Sequence, residues 1–221
     1  MKHLLLATSI VAFLASNALA DKPLHADIYA WANSDGRLLT AGWDHETGEL
    51  LDPGQRVFEG ELGLDPMFPF SGDEPGIGSS LVGSTLSLNL LGGLGAWNGD
   101  GFAASTAGIM VTYGGQEALS TTGGSLSFVV TQDLDLHPGY TLFGGNGADP
   151  ANGIYLAAFT FGSAGLGTSE TFWIVFNLGM DEADHEAAVD WANANLVPGP
   201  GGLFAAALAG LSAARSRTRR R

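Results

Sequence analysis

The sequence contains no cysteine, which excludes disulfides, thiolate metal sites and cysteine nucleophiles together. Positive charge is the second scarcity. Of nine Lys and Arg, Lys2 lies at the start and Arg215, Arg217, Arg219, Arg220 and Arg221 lie at the end, leaving Lys22, Arg37 and Arg56 between. Residues 21–196 therefore set three basic against 23 acidic side chains, a net charge of −20. Nucleic acid is excluded as a partner, because displacing counterions from phosphates takes clustered Lys and Arg. A surface of this sign favours cations, keeps a protein soluble and suits saline surroundings that screen its self-repulsion.

Motifs of catalysis are missing as well. No Gly-x-Ser-x-Gly elbow occurs, since "FGSAG" has Phe161 where the first Gly is needed. Glycine-rich stretches such as "LLGGLGAW" have neither Gly-x-Gly-x-x-Gly nor a following Lys, so no phosphate cradle is indicated. His185 and Glu186 begin like the zinc-protease helix His-Glu-x-x-His, but position 189 is Val, and His45-Glu46 fails in the same way with Glu49. These histidines read as solvated helix and turn residues, and His25 as a surface-strand residue. No catalytic residue is assigned.

What the chain does have is two distinctive ends. Residues 1–20 place Lys2 before an apolar run and close on Ala18-Leu19-Ala20, the small-x-small pattern of signal peptidase, so residues 1–20 read as a cleaved signal with Asp21 first in the mature chain. At the other end, Pro198 and Pro200 break any helix, residues 203–214 form an apolar run, and the arginines after it hold the terminus on the inner side of a membrane. Twelve residues make a helix of about 18 Å against a hydrocarbon core of about 30 Å, short for a permanent anchor.

The order of Val197, Pro198, Gly199 and Pro200, then residues 203–214, then Arg215 to Arg221 resembles the PEP-CTERM sorting signal of bacterial exopolysaccharide-associated surface proteins, with Gly199 where that family carries Glu. The resemblance implies an exosortase-like membrane protease, besides signal peptidase, as a partner during export. It also implies transient or retained membrane association through residues 203–214, and a final place in the cell envelope, at the cell surface or outside the cell. More loosely, "HADIYAWANSDGRLLTAG", "RVFEGELG" and "GIYLAAFTFGSAGLGTSETFWIVFNLGMDEADHEAAVDW" are similar to secreted proteins of planctomycete-type bacteria that carry this tail. That likeness brings no activity with it.

Between the ends, residues 21–196 read as one β-sandwich ectodomain. "ADIYAWA" and "RLLTAGW" form a hairpin around "NSDG", with Gly36 supplying positive φ. "QRVFEGELG" follows, then a Pro/Gly/Asp-rich loop over residues 64–79, then strands at "STLSLNLL", "AGIMVTY", "SLSFVVT", "LDLHPGYTLFG", "GIYLAAFTF" and "ETFWIVFNL". No fixed-period repeat points to a propeller or solenoid. The fold class expected is mainly β, an antiparallel, jelly-roll-like sandwich. "FWIVF", apolar on both faces, belongs at its centre. One helix, about residues 182–195, closes the body, with Asp181 as cap and Ala183, Ala187, Ala188, Trp191 and Ala192 as its packing face.

Three constellations are candidates for binding. If "DLDLH" is extended, Asp133, Asp135 and His137 share one face and offer oxygens and an imidazole to a divalent ion such as Ca2+; the alternative is a plain solvated strand face. Tyr29 and Trp31 share a face of the first strand and Trp43 lies across the hairpin, an aromatic strip that suits sugar rings or else fills the core; Trp97 in "WNGDGF" offers a similar ring. Glu59 and Glu61 share a face like a glycosidase pair or like an ordinary solvated edge. The reading drawn from all this is an exported, non-catalytic binding or structural protein, with exopolysaccharide as a partner. A polysaccharide-acting enzyme and a Ca2+-stabilised adhesion module remain as alternatives.

Overall fold

The computed structural model describes residues 26–198. Ala18, Ala20, His25, Gly199, Pro200, residues 203–214 and the terminal arginines lie outside the described residues, and with them the signal and most of the sorting segment. The strands of the first half are β1 (Asp27–Ala32), β2 (Leu38–Asp44), β3 (Glu49–Pro53), β4 (Val57–Leu62), β5 (Ser71–Gly72), β6 (Ile77–Ser79), β7 (Thr85–Leu90), β8 (Gly95–Trp97) and β9 (Phe102–Ala104). Then come β10 (Gly108–Tyr113), β11 (Gln116–Leu119), β12 (Gly124–Val129), β13 (Gly139–Phe143), β14 (Gly153–Ser163) and β15 (Phe172–Leu178), and finally α1 (Glu182–Leu196). The protein is thus mainly β, with one α-helix among the described residues. That helix is neither long nor apolar enough to cross a membrane.

Three sheets result, in the orders β3-β2-β1-β6, β11-β10-β13-β5 and β12-β7-β14-β15-β4, the last carrying β8 on β14 and β9 on β8. The β1–β2 hairpin forms around Gly36 at φ +72°, and Asn33 Oδ1 accepts the N–H groups of Asp35 and Arg37 to fasten the turn. The expected all-antiparallel pairing needs correction. β6 runs parallel to β1, and β4 runs parallel to β15. Both parallel partners arrive from a distant segment rather than across a tight turn, so local sequence gives no sign of their direction. The nine expected strands are present, but "LDLHPGYTLFG" is a strand only from Gly139.

One core joins the three sheets, with Ile28 and Leu38 from the first, Ile109, Val111 and Tyr140 from the second, and Leu88, Phe159, Phe161, Phe172 and Phe176 from the third. Phe172 stacks on Phe161 and Phe159 at centroid distances of 4.9 and 5.7 Å and takes the edge of Phe58 at 6.0 Å. As the run "FWIVF" implies, β15 is buried on both sides. Phe172, Ile174 and Phe176 face this core, whereas Val175 joins Val57, Ile154, Ala188, Val189 and Ala192 under the helix.

The helix face differs from the expected alanine face. His185, Ala188, Val189 and Ala192 are buried, while Ala183 and Ala187 are exposed. Turning this way buries the larger Val189 and gives His185 a backbone acceptor, the Val175 carbonyl at 2.9 Å. Asp181 stands at the cap position without a side-chain hydrogen bond; its carbonyl accepts the Asp184 and His185 amides. Trp191 packs at the rim with Trp97 and Phe102, so Trp97 belongs to the helix contact rather than to a free turn. Val197 also packs against this cluster, and Pro198 is exposed.

Candidate functional site

Alternation along β1 sends Ile28 and Ala30 into the core and Asp27, Tyr29 and Trp31 to the other face. The hairpin register sets Trp43 opposite Asp27, and His45 follows two residues later on the same side. A cleft of about 530 Å³ opens there, with Tyr29, Trp43 and Leu50 along one part of its lining and His45, Gln132, Asp133 and Asp135 along another. The Tyr29 and Trp43 rings lie 5.6 Å apart at 53°. Trp43 rests on Gly78 of β6, where a Cβ would fall 2.4 Å from its ring, so only glycine allows the indole to lie this close to the sheet. Trp31 does not line the cleft, and its buried Nε1 has no hydrogen-bond partner. Of the aromatic strip, Tyr29 and Trp43 are brought together as wall residues.

The proposed row of Asp133, Asp135 and His137 is not a strand face. Asp133 sits in a turn, only Leu136 bridges to Ile77, and Pro138 follows. The strict alternation needed to align the three side chains is therefore broken. Asp133 and Asp135 line the cleft, whereas His137 turns toward Asp135 (Nε2 to Oδ1, 3.0 Å), the Asp73 carbonyl (3.2 Å from Nδ1) and Glu74 (3.4 Å from Nδ1). The group that converges is Asp27, His45 and Asp135, each offering a ligand atom within 4.8 Å of the others. Asp27 and Glu74 escaped sequence reasoning. A signal for Asp27 existed in the hairpin register, which puts it beside Trp43 and His45; Glu74 lies in a loop and carried no such signal.

Asp27 is 1% exposed, yet both its oxygens are engaged. Oδ1 accepts the Gly76 N–H at 2.7 Å and Oδ2 pairs with His45 Nδ1 at 2.9 Å. Beside it, desolvation together with the charge and hydrogen bond of Asp27 pushes the Glu74 carboxyl up from 4.5 to about 7, against the opposing pull of His137 and the Gly76 N–H. The Glu74 carboxyl therefore holds its proton up to near neutrality. For His45, burial disfavours the imidazolium, but the bond and charge of Asp27, with Asp135 and Glu46, outweigh it and raise the pKa. His137 is raised in the same way, with Glu74 and Asp135 overcoming burial. Tyr140, below, donates to the Pro75 carbonyl at 3.1 Å; its hydroxyl is held protonated by burial first and then by Glu74 and Asp27.

This arrangement offers oxygen and nitrogen ligands to a divalent ion and acceptors to sugar hydroxyls, next to a pair of stacking rings. Asp27 and Glu74 do not make a glycosidase pair, because Asp27 is buried and both its oxygens are taken by the Gly76 N–H and His45 Nδ1. Glu59 and Glu61 do not supply one either. They face α1, where Glu61 Oε1 lies 3.2 Å from His185 Nδ1 and accepts from Asn177 Nδ2 at 3.3 Å. His185 itself is buried, contrary to its reading as a solvated helix residue, because the docked helix covers it. No family model matches the chain, and no curated protein matches its sequence.

Proposed function

We propose that the protein is an exported, envelope-associated binding protein that takes a neutral, sugar-rich polymer in the cleft beside Tyr29 and Trp43. The observation that carries this reading is the pairing of an aromatic wall with the carboxylates of Asp133 and Asp135 in one cleft. Sugar rings present an apolar face to aromatics and hydroxyls to carboxylates, and both partners stand ready here. Charge points the same way. Among the described residues both arginines, Arg37 and Arg56, are engaged by Glu170 at 2.6 Å each, so an anionic ligand finds little attraction.

Export through the signal at residues 1–20 and sorting through the PEP-CTERM-like segment at residues 197–221, by an exosortase-like protease, belong to the same proposal. So does a jelly-roll-like sandwich as the arrangement of the sheets, which the core shared among all three supports. A second reading has one specific observation in its favour. Buried Asp27 holds His45 by Nδ1, leaving Nε2 for a ligand in the cleft, as a general base requires. Binding and hydrolysis separate in one experiment: retention of the purified chain on insoluble and envelope polysaccharides, with and without Ca2+, while the supernatant is assayed for released sugar. Retention without release, lost in Trp43→Ala, is the expected result. Release would move the assignment to an enzyme based on His45, and no retention on any polymer would sink the sugar-binding reading.

A further inference from the structure

A second cluster, away from the cleft, joins the edge strand β4 to the first turn of α1. Val57, Glu59 and Glu61 alternate onto the face of β4 turned toward the helix, in parallel register with Trp173, Val175 and Asn177. From the helix side, Glu182 and His185 lie three residues apart and so share a face. One ligand atom each of Glu59, Glu182 and His185 lies within 4.8 Å of the others, and Glu61 Oε1 stands 3.2 Å from His185 Nδ1.

The imidazole is the informative group. His185 is 1% exposed. A carbonyl oxygen only accepts, so the 2.9 Å bond to Val175 requires the proton on Nε2. Nδ1 is buried and has no hydrogen-bond partner, with Glu61 Oε1 an ionic neighbour at 3.2 Å. A buried ring nitrogen aimed among carboxylates without a well-placed acceptor is costly unless something lies between them. A backbone carbonyl that fixes Nε2–H and leaves Nδ1 outward is also the usual support of a metal-ligating histidine.

We propose that Glu59, Glu182 and His185 bind a Zn2+ ion that clips α1 to β4, with the Val175 carbonyl orienting the imidazole. One imidazole with carboxylate oxygens suits a borderline ion; Ca2+ and Mg2+ call for oxygen alone. His185 of the incomplete His-Glu-x-x-His thus finds one further ligand, Glu59, on a strand more than a hundred residues earlier. The site is independent of the cleft and stands whether or not the cleft binds sugar.

The test uses the full chain, stripped with chelator and titrated with ZnCl2 by calorimetry, while the ring nitrogens of His185 are followed by NMR. The expected result is Zn2+ binding that shifts the His185 Nδ1 resonance. The affinity should fall at least tenfold in Glu182→Gln, an exposed position that leaves the core intact, and remain unchanged in His45→Ala, which removes the cleft histidine. Zn2+ binding abolished by His45→Ala, an Nδ1 that stays unperturbed at saturating Zn2+, or equal affinity in Glu182→Gln would each overturn the proposal.

Discussion

Replacing Asp27 by Ala strips the Gly76 N–H and the His45 ring of the carboxylate they share, and the amide is then buried without an acceptor. The expected loss is about 2 kcal/mol in urea unfolding. Glu74 sets a pH dependence of definite sign. Between its ordinary value of 4.5 and its folded value of about 7 the native state holds a proton that the unfolded chain has released, so stability falls as pH rises through that window. The raised values of His45, His137 and His185 act in the same direction: their contribution is full below 6.5 and is lost as pH climbs through the folded values. Thermal melts in chelator are expected to give a higher Tm at pH 5.5 than at pH 8, with a smaller difference in Glu74→Gln. A Tm that rises toward pH 8 would contradict the raised Glu74 carboxyl.

Elements, rather than single residues, decide how the cleft and the helix are placed. β6 brings Gly78 under Trp43, and in Gly78→Ala the methyl group displaces the indole, which lies at the cleft and has room to turn outward. Polysaccharide retention is expected to fall as in Trp43→Ala while the far-UV circular dichroism stays unchanged. The orientation of α1 predicts a contrast between adjacent positions. Ala188→Leu forces a larger side chain between helix and sheet and should cost about 1–3 kcal/mol, whereas Ala187→Leu on the exposed face should change stability by less than about 0.5 kcal/mol. Equal costs would mean that the helix docks by another face. The strands that local pattern revealed were those with long alternation, such as "STLSLNLL" and "GIYLAAFTF". β3, β5, β6, β8, β9 and β11 escaped because they are short or lie in Pro- and Gly-rich sequence, and they become strands only by pairing with β2, β13, β1, β14, β8 and β10.

Across the described residues, acidic charge is nearly unopposed, and their two arginines meet on one side chain, Glu170, with Arg56 also 5.2 Å above the Trp173 ring. Self-repulsion of this kind acts over distances comparable to the Debye length, about 10 Å at 0.1 M salt. Raising NaCl from about 0.02 to about 0.5 M is therefore expected to raise Tm, although salt weakens the exposed Arg37–Glu170 pair. A fall in Tm over that range would mean that ion pairs outweigh the repulsion.

Composition and periodicity by themselves determined that the chain is β-rich and strongly acidic, that β15 is buried on both faces, and where the one described helix begins. These follow from side-chain alternation and from local start signals, both of which act over a few residues. Only the tertiary structure decided which charged groups meet. Asp27, His45, Glu74 and Asp135 come from four separated segments, and Glu59, Glu182 and His185 from two. Their convergence depends on two parallel pairings and on the rotation of a helix about its own axis, which nonlocal packing sets and no short stretch of sequence encodes.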